Sequence, residues 1–113
     1  MIRILHARTG LPVAVAALLL AAAAGADEAK QLAYGKHLAS ECSGCHRVDG
    51  TDNGISSITG WPAATFIETM DYYRTGARPN QVMVSVVQSL DDAQIKALAV
   101  YYGSLPKPAR AMK

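Results

Sequence analysis

The chain has 113 residues, half of them hydrophobic, with two cysteines and 11 Lys plus Arg against 9 Asp plus Glu, a formal net charge of +2. That charge is too small for a nucleic-acid binder or for a protein held on anionic membrane by a basic face. A chain this short buries only about 60 to 65 per cent of its unfolded surface, so one small domain with a covalent staple is expected.

The first quarter reads as a secretory signal peptide. Arg3, His6 and Arg8 precede an apolar run from Leu11 to Ala24, and Ala24-Gly25-Ala26 supplies small residues for cleavage. The run is 14 residues long, against the roughly 20 that cross a bilayer. The reading is therefore a signal peptide over residues 1–26, with an uncleaved N-terminal anchor as the alternative. Residues 27–113 then form a single exported, periplasmic domain that does not insert into the membrane. Loss of Arg3 and Arg8 leaves nine basic against nine acidic side chains, so this domain is near neutral.

Between Glu28 and Glu41, Leu32, Ala33, His37 and Leu38 recur at helical spacing and predict an amphipathic helix. Gly35 inside it costs up to about 1 kcal/mol relative to Ala. It is either merely tolerated there or marks a close crossing by another helix. From Arg47 to Gly60, Asp49-Gly50, Asp52-Asn53-Gly54 and Ser56-Ser57 predict a loop built from turns. Pro62 suits the first position of a second helix whose face carries Phe66, Ile67, Met70 and Tyr73 and which Gly76 can end. The run Val82 to Val87 fits strand or helix, because its β-branched residues favour the first and its length decides nothing. Asp91 and Gln94 form a capping box for a last helix with Ile95, Leu98, Ala99 and Tyr102 as its buried stripe, ended by Gly103 and Pro106. The fold class is all-α: three clear helices and one ambiguous segment, joined by long loops.

The chemistry centres on Cys42-Ser43-Gly44-Cys45-His46. Two cysteines two residues apart with a histidine directly behind them read as a c-type haem attachment site. The thiols of Cys42 and Cys45 add across the two vinyl groups of the porphyrin, and His46 ligates the iron. A thioredoxin-like redox pair needs a βαβ pattern, which the sequence lacks. A structural zinc site needs four ligands, and residues 27–113 offer two cysteines with His37 and His46. A Cys42 to Cys45 disulfide is the remaining alternative. For the second axial position the candidates are Met70, Met83, Met112 and His37. Met70 shares the apolar stripe with Phe66, whereas Met83 follows the Arg78-Pro79-Asn80 break, where the backbone can turn a side chain toward the ring.

Residues 27–113 as a whole resemble a small class I cytochrome c. The resemblance rests on Gly35-Lys36-His37-Leu38 leading into His46 and on the C-terminal helix, which in that family crosses the first; Gly35 then meets Tyr101 or Tyr102. The middle is similar to the haem subunits of flavocytochrome c sulfide dehydrogenases and their single-haem relatives. Gly54-Ile55-Ser56-Ser57-Ile58-Thr59-Gly60, Arg74-Thr75-Gly76 and Met83, seven residues before Leu90-Asp91-Asp92, carry it. This likeness implies His46/Met83 ligation of one haem c and a short helix around Met83. It also implies that the Ser56 carbonyl accepts a hydrogen bond from the haem histidine, Ser56 replacing the family's proline. Val84-Ser85 replaces the usual Gly-Arg. Ile55 and Ile58 are expected to pack on the ring, and Trp61 to line the pocket or meet a propionate. Arg47 and Arg78 are either propionate donors or solvated charges. The implied activity is single-electron transfer between redox partner proteins, without catalysis. The alternative is the haem subunit of an enzyme complex such as a sulfide-oxidising flavoprotein dehydrogenase, with a flavoprotein subunit as partner.

Overall fold

The computed structural model describes residues 11–108. It contains four helices, α1 (Leu11–Leu38), α2 (Ala63–Thr75), α3 (Gln81–Gln88) and α4 (Asp92–Ser104), and no strand occurs among the described residues. The fold is all-α. Helix α4 packs on both α1 and α2, and α2 packs on α3, so α4 is the hub of the core.

The start of α4 is fixed by its own sequence. The Asp91 carboxylate accepts the Gln94 N–H at 2.8 Å, and the Gln94 side-chain oxygen accepts the Asp91 N–H at 2.9 Å, the reciprocal capping box expected there. The helix then buries Ile95, Leu98, Ala99 and Tyr102 against Phe66 and Met70 of α2 and Val87 of α3. Each large aliphatic or aromatic side chain so buried contributes about 1.5 to 3 kcal/mol. The Tyr102 ring stacks on Phe66 with centroids 5.7 Å apart.

Helix α2 starts one residue after Pro62, whose carbonyl already accepts the Phe66 N–H at 3.1 Å. It ends at Gly76, which takes the left-handed conformation at φ +78°, an expensive state for a residue with a Cβ. The valine-rich segment is helix α3: Asn80 caps it, its side-chain oxygen accepting the Met83 N–H at 3.1 Å. This local cap decides an ambiguity that the β-branched residues leave open.

Helix α1 departs from the expected bounds at both ends. It is already helical at Leu11, the first described residue, rather than from Glu28, and runs unbroken through Ala26, because its Ala- and Leu-rich run has high intrinsic helix propensity. Residues 13–30 of this arm are exposed, and the molecule extends to 85 × 35 × 23 Å. No helix among the described residues is long and apolar enough to cross a membrane. At the other end α1 stops at Leu38, and the chain reaches Cys42 through hydrogen-bonded turns, with Cys42 N–H to Ala39 O at 3.1 Å and Ser43 N–H to Ala39 O at 3.0 Å. Arg3, His6, Arg8 and Met112 lie outside the described residues.

Gly35 marks the crossing of α1 and α4. A Cβ at this position would collide with the Ala97 carbonyl oxygen and stand 2.8 Å from Tyr101 Cβ. Gly35→Ala is therefore expected to lower the unfolding free energy by about 1 to 3 kcal/mol, as overpacking does, despite the better helix propensity of Ala. A urea denaturation curve checks this, and an unchanged or raised midpoint would contradict the close crossing.

Candidate functional site

Residues 42–46 form a single hydrogen-bonded turn. The Cys42 carbonyl accepts the N–H of Cys45 at 3.1 Å and of His46 at 2.8 Å. The two cysteines are not joined to each other; Cys42 is half-buried against the core cluster and Cys45 is exposed. Burial pushes the Cys42 thiol above its ordinary pKa, while the Tyr102 hydroxyl beside it pulls the other way more weakly. Burial likewise raises the Tyr102 phenol.

The His46 ring nitrogen Nδ1 lies 2.8 Å from the Ser56 carbonyl oxygen. A carbonyl can only accept, so Nδ1 carries a proton, and in the neutral ring this tautomer leaves the lone pair on Nε2, the arrangement a metal-ligating imidazole needs. The loop that brings Ser56 there is ordered by short-range bonds from its own side chains. Asp49 accepts the Thr51 N–H at 3.0 Å, Asp52 accepts the Gly54 N–H at 2.8 Å, and Asn53 accepts the Ile55 N–H at 3.3 Å. These are Asx turns, and Gly50 and Gly54 take the positive φ values that accompany them. The loop is closed on α4 where Gly60 N–H donates to the Tyr102 carbonyl at 2.8 Å.

Met83, Ile58, Trp61 and Cys42 are all partly buried against the core cluster. The Met83 backbone is pinned by Asn80. Ile55, beside Ser56, is 39% exposed. Met70 is buried among core residues, and His37 is exposed on α1. Arg47 is engaged by Asp49 at 2.6 Å, which holds that carboxyl below the usual carboxylate range. The Arg78 guanidinium lies 5.4 Å over the Tyr73 ring.

The donor set fits a c-type haem: two thiols in one turn, an imidazole whose Nδ1 is held by a carbonyl, and a thioether side chain packed on the same core cluster as Cys42. A cage of protein ligands for zinc is not assembled, since no three His, Cys, Asp or Glu side chains among the described residues converge on one point. Sequence reasoning missed one polar group here. The Tyr102 hydroxyl is buried without a hydrogen-bond partner among the described residues, whereas the helical period assigns Tyr102 only to an apolar stripe.

No protein-family model matches the chain. Two curated proteins do, each called "Thiosulfate dehydrogenase electron acceptor". The one from Thiomonas intermedia (strain K12) is 36% identical over 74 residues, 63% of this chain and 34% of the relative. The one from Stutzerimonas stutzeri (strain A1501) is 29% identical over 100 residues, 83% of this chain and 46% of the relative. The chain thus spans between about a third and a half of the length of these relatives. Both names specify an electron acceptor of a thiosulfate dehydrogenase, whereas the sequence resemblance points toward a sulfide-oxidising flavoprotein.

The raised Cys42 pKa has a testable sign. A thiol whose folded value exceeds its unfolded value stabilises the fold fully below the unfolded pKa, and that contribution is lost as pH rises through the folded value. In the haem-free chain, Cys42 is expected to be alkylated by iodoacetamide more slowly at mildly alkaline pH than in the urea-unfolded chain, since the thiolate is the nucleophile. Peptide mapping by mass spectrometry measures this; equal rates would contradict the packing of Cys42 against the core.

Proposed function

We propose that this chain is an exported electron carrier holding one haem c through Cys42 and Cys45, with His46 and Met83 as axial ligands. The observation that carries the reading is the 2.8 Å bond from His46 Nδ1–H to the Ser56 carbonyl, which leaves Nε2 free one residue after the second thiol. A bound haem c supplies reversible one-electron chemistry at iron. The protein residues do the rest. Cys42 and Cys45 fix the ring covalently on the turn that also bears His46. The Ser56 carbonyl orients the imidazole and raises its basicity. Met83 offers a thioether sulfur from the first turn of α3, which favours the reduced form relative to a histidine in that place. Ile55, Ile58 and Trp61 supply apolar cover that excludes water. Were His46 and Met83 both to hold the iron, no position would be left for a substrate, and the chain would carry electrons without catalysing.

We further propose that the electron donor is a thiosulfate dehydrogenase. The names of the two relatives support this donor over the flavoprotein subunit that the run from Gly54 to Asp92 suggests. A near-neutral surface over residues 27–113 suits brief encounters that do not depend on strong electrostatic steering.

Two measurements test the reading. The oxidised protein is expected to be low-spin with a methionine-to-iron charge-transfer band, and Met83→Ala is expected to lose that band, become high-spin and bind carbon monoxide. A retained band would move the axial ligand elsewhere. Mixed with a thiosulfate dehydrogenase, the oxidised protein is expected to be reduced when thiosulfate is added. Reduction only by a flavoprotein with sulfide would reverse the donor assignment.

A further inference from the structure

The Tyr102 hydroxyl is a polar group that the site as described leaves unused. The residue is 0% exposed, and its oxygen has no hydrogen-bond partner among the described residues. An orphaned buried hydroxyl destabilises the fold. The other services of Tyr102 do not need it: the ring stacks on Phe66 and meets Tyr101 edge-on, and the backbone carbonyl receives Gly60 N–H. A phenylalanine would perform all of these without burying an oxygen.

The Cys42 sulfur is the unassigned partner within the same packing cluster. Cys42 packs on the core cluster to which Tyr102 belongs, and the two groups interact. The hydroxyl acts on Cys42 in the direction of a donor, favouring negative charge on sulfur, although burial outweighs it. In the free thiol, sulfur has a proton of its own and competes as a donor. Addition of Cys42 to a vinyl group forms the S–C bond and sends the thiol proton to carbon. The resulting thioether sulfur has lone pairs and no proton, and so is an acceptor only.

We propose that the Tyr102 hydroxyl donates a hydrogen bond to the Cys42 thioether sulfur, making Tyr102 a positioning residue for the attached haem. This rests on the haem reading above. Through it, one residue of α4 holds both sides of the site: its carbonyl closes the loop that carries Ser56, and its hydroxyl holds the first attachment point. The bond also draws electron density from a sulfur joined to the ring edge, which favours the reduced iron.

The test uses the haem-bearing protein and Tyr102→Phe. Haem content by the pyridine complex comes first: if the unsubstituted protein carries no covalent haem, the proposed function fails and not this inference alone. Given haem in both, Tyr102→Phe is expected to lower the reduction potential and to shift the thioether proton resonances at Cys42 more than those at Cys45. The same substitution in a Cys42→Ala background, with haem held by Cys45 alone, is expected to leave the potential unmoved, because the cycle isolates the pair. An unchanged potential with unmoved Cys42 resonances would overturn the proposal, as would an equal shift in the Cys42→Ala background. Should Tyr102→Phe not fold, the unsubstituted protein decides. A slowly exchanging Tyr102 hydroxyl proton with a cross-peak to the Cys42 β protons is expected, and its absence would overturn the bond.

Discussion

The passage of Gly35 against the Ala97 carbonyl and Tyr101 is the contact on which the rest of the structure depends. It sets the angle and depth at which α1 meets α4, and α1 ends three residues later, at Leu38. The Cys42 turn therefore emerges at a fixed place relative to α4. Tyr102, one residue beyond the crossing, faces the core between that turn and α2. With no side chain at position 35, two helices share a backbone-to-backbone contact that any Cβ would prise apart. The hydrophobic core around Ile95, Leu98 and Tyr102 is then both the stabilising mass of the domain and the wall of the site.

The other half of the site is assembled differently. Residues 47–60 bury little apolar area, and only Gly50 and Thr59 among them are fully buried. Their order comes from short polar side chains bonded to backbone two residues on, and from Gly60 N–H on the Tyr102 carbonyl. The exposed Arg47–Asp49 pair adds little stability, since solvent screens it. A loop held this way aims one carbonyl, that of Ser56, at one imidazole. Serine lacks the φ restraint of proline, and the Asx turns at Asp52 and Asn53 order the chain that leads into it.

Features governed by neighbours in sequence were legible beforehand. The Asp91–Gln94 capping box and the Gly76 terminator need only residues three or four apart, and both stand where the pattern puts them. The apolar stripe of α4 was legible for the same reason. The segment Val82 to Val87 was not, because β-branched residues argue for strand until the cap from Asn80 is seen to fix its first turn. The extent of α1 was hidden because an apolar, Ala-rich run identifies a targeting segment and a helix equally well. Arg47 was hidden as well, since its partner Asp49 sits two residues away and competes with any distant acceptor. The periodicity that buries Tyr102 says nothing of what its hydroxyl meets; that depends on where two separate elements cross.

The proposed electron transfer depends on Cys42 and Cys45 together holding one haem covalently in the turn that presents His46. Peptide mapping by mass spectrometry of the protein, purified from cells that attach c-type haem, tests this most directly. The account predicts a single peptide spanning Cys42 to His46 that carries the mass of one haem on both cysteines. The same peptide recovered with free thiols, or with Cys42 joined to Cys45 as a disulfide, would contradict it.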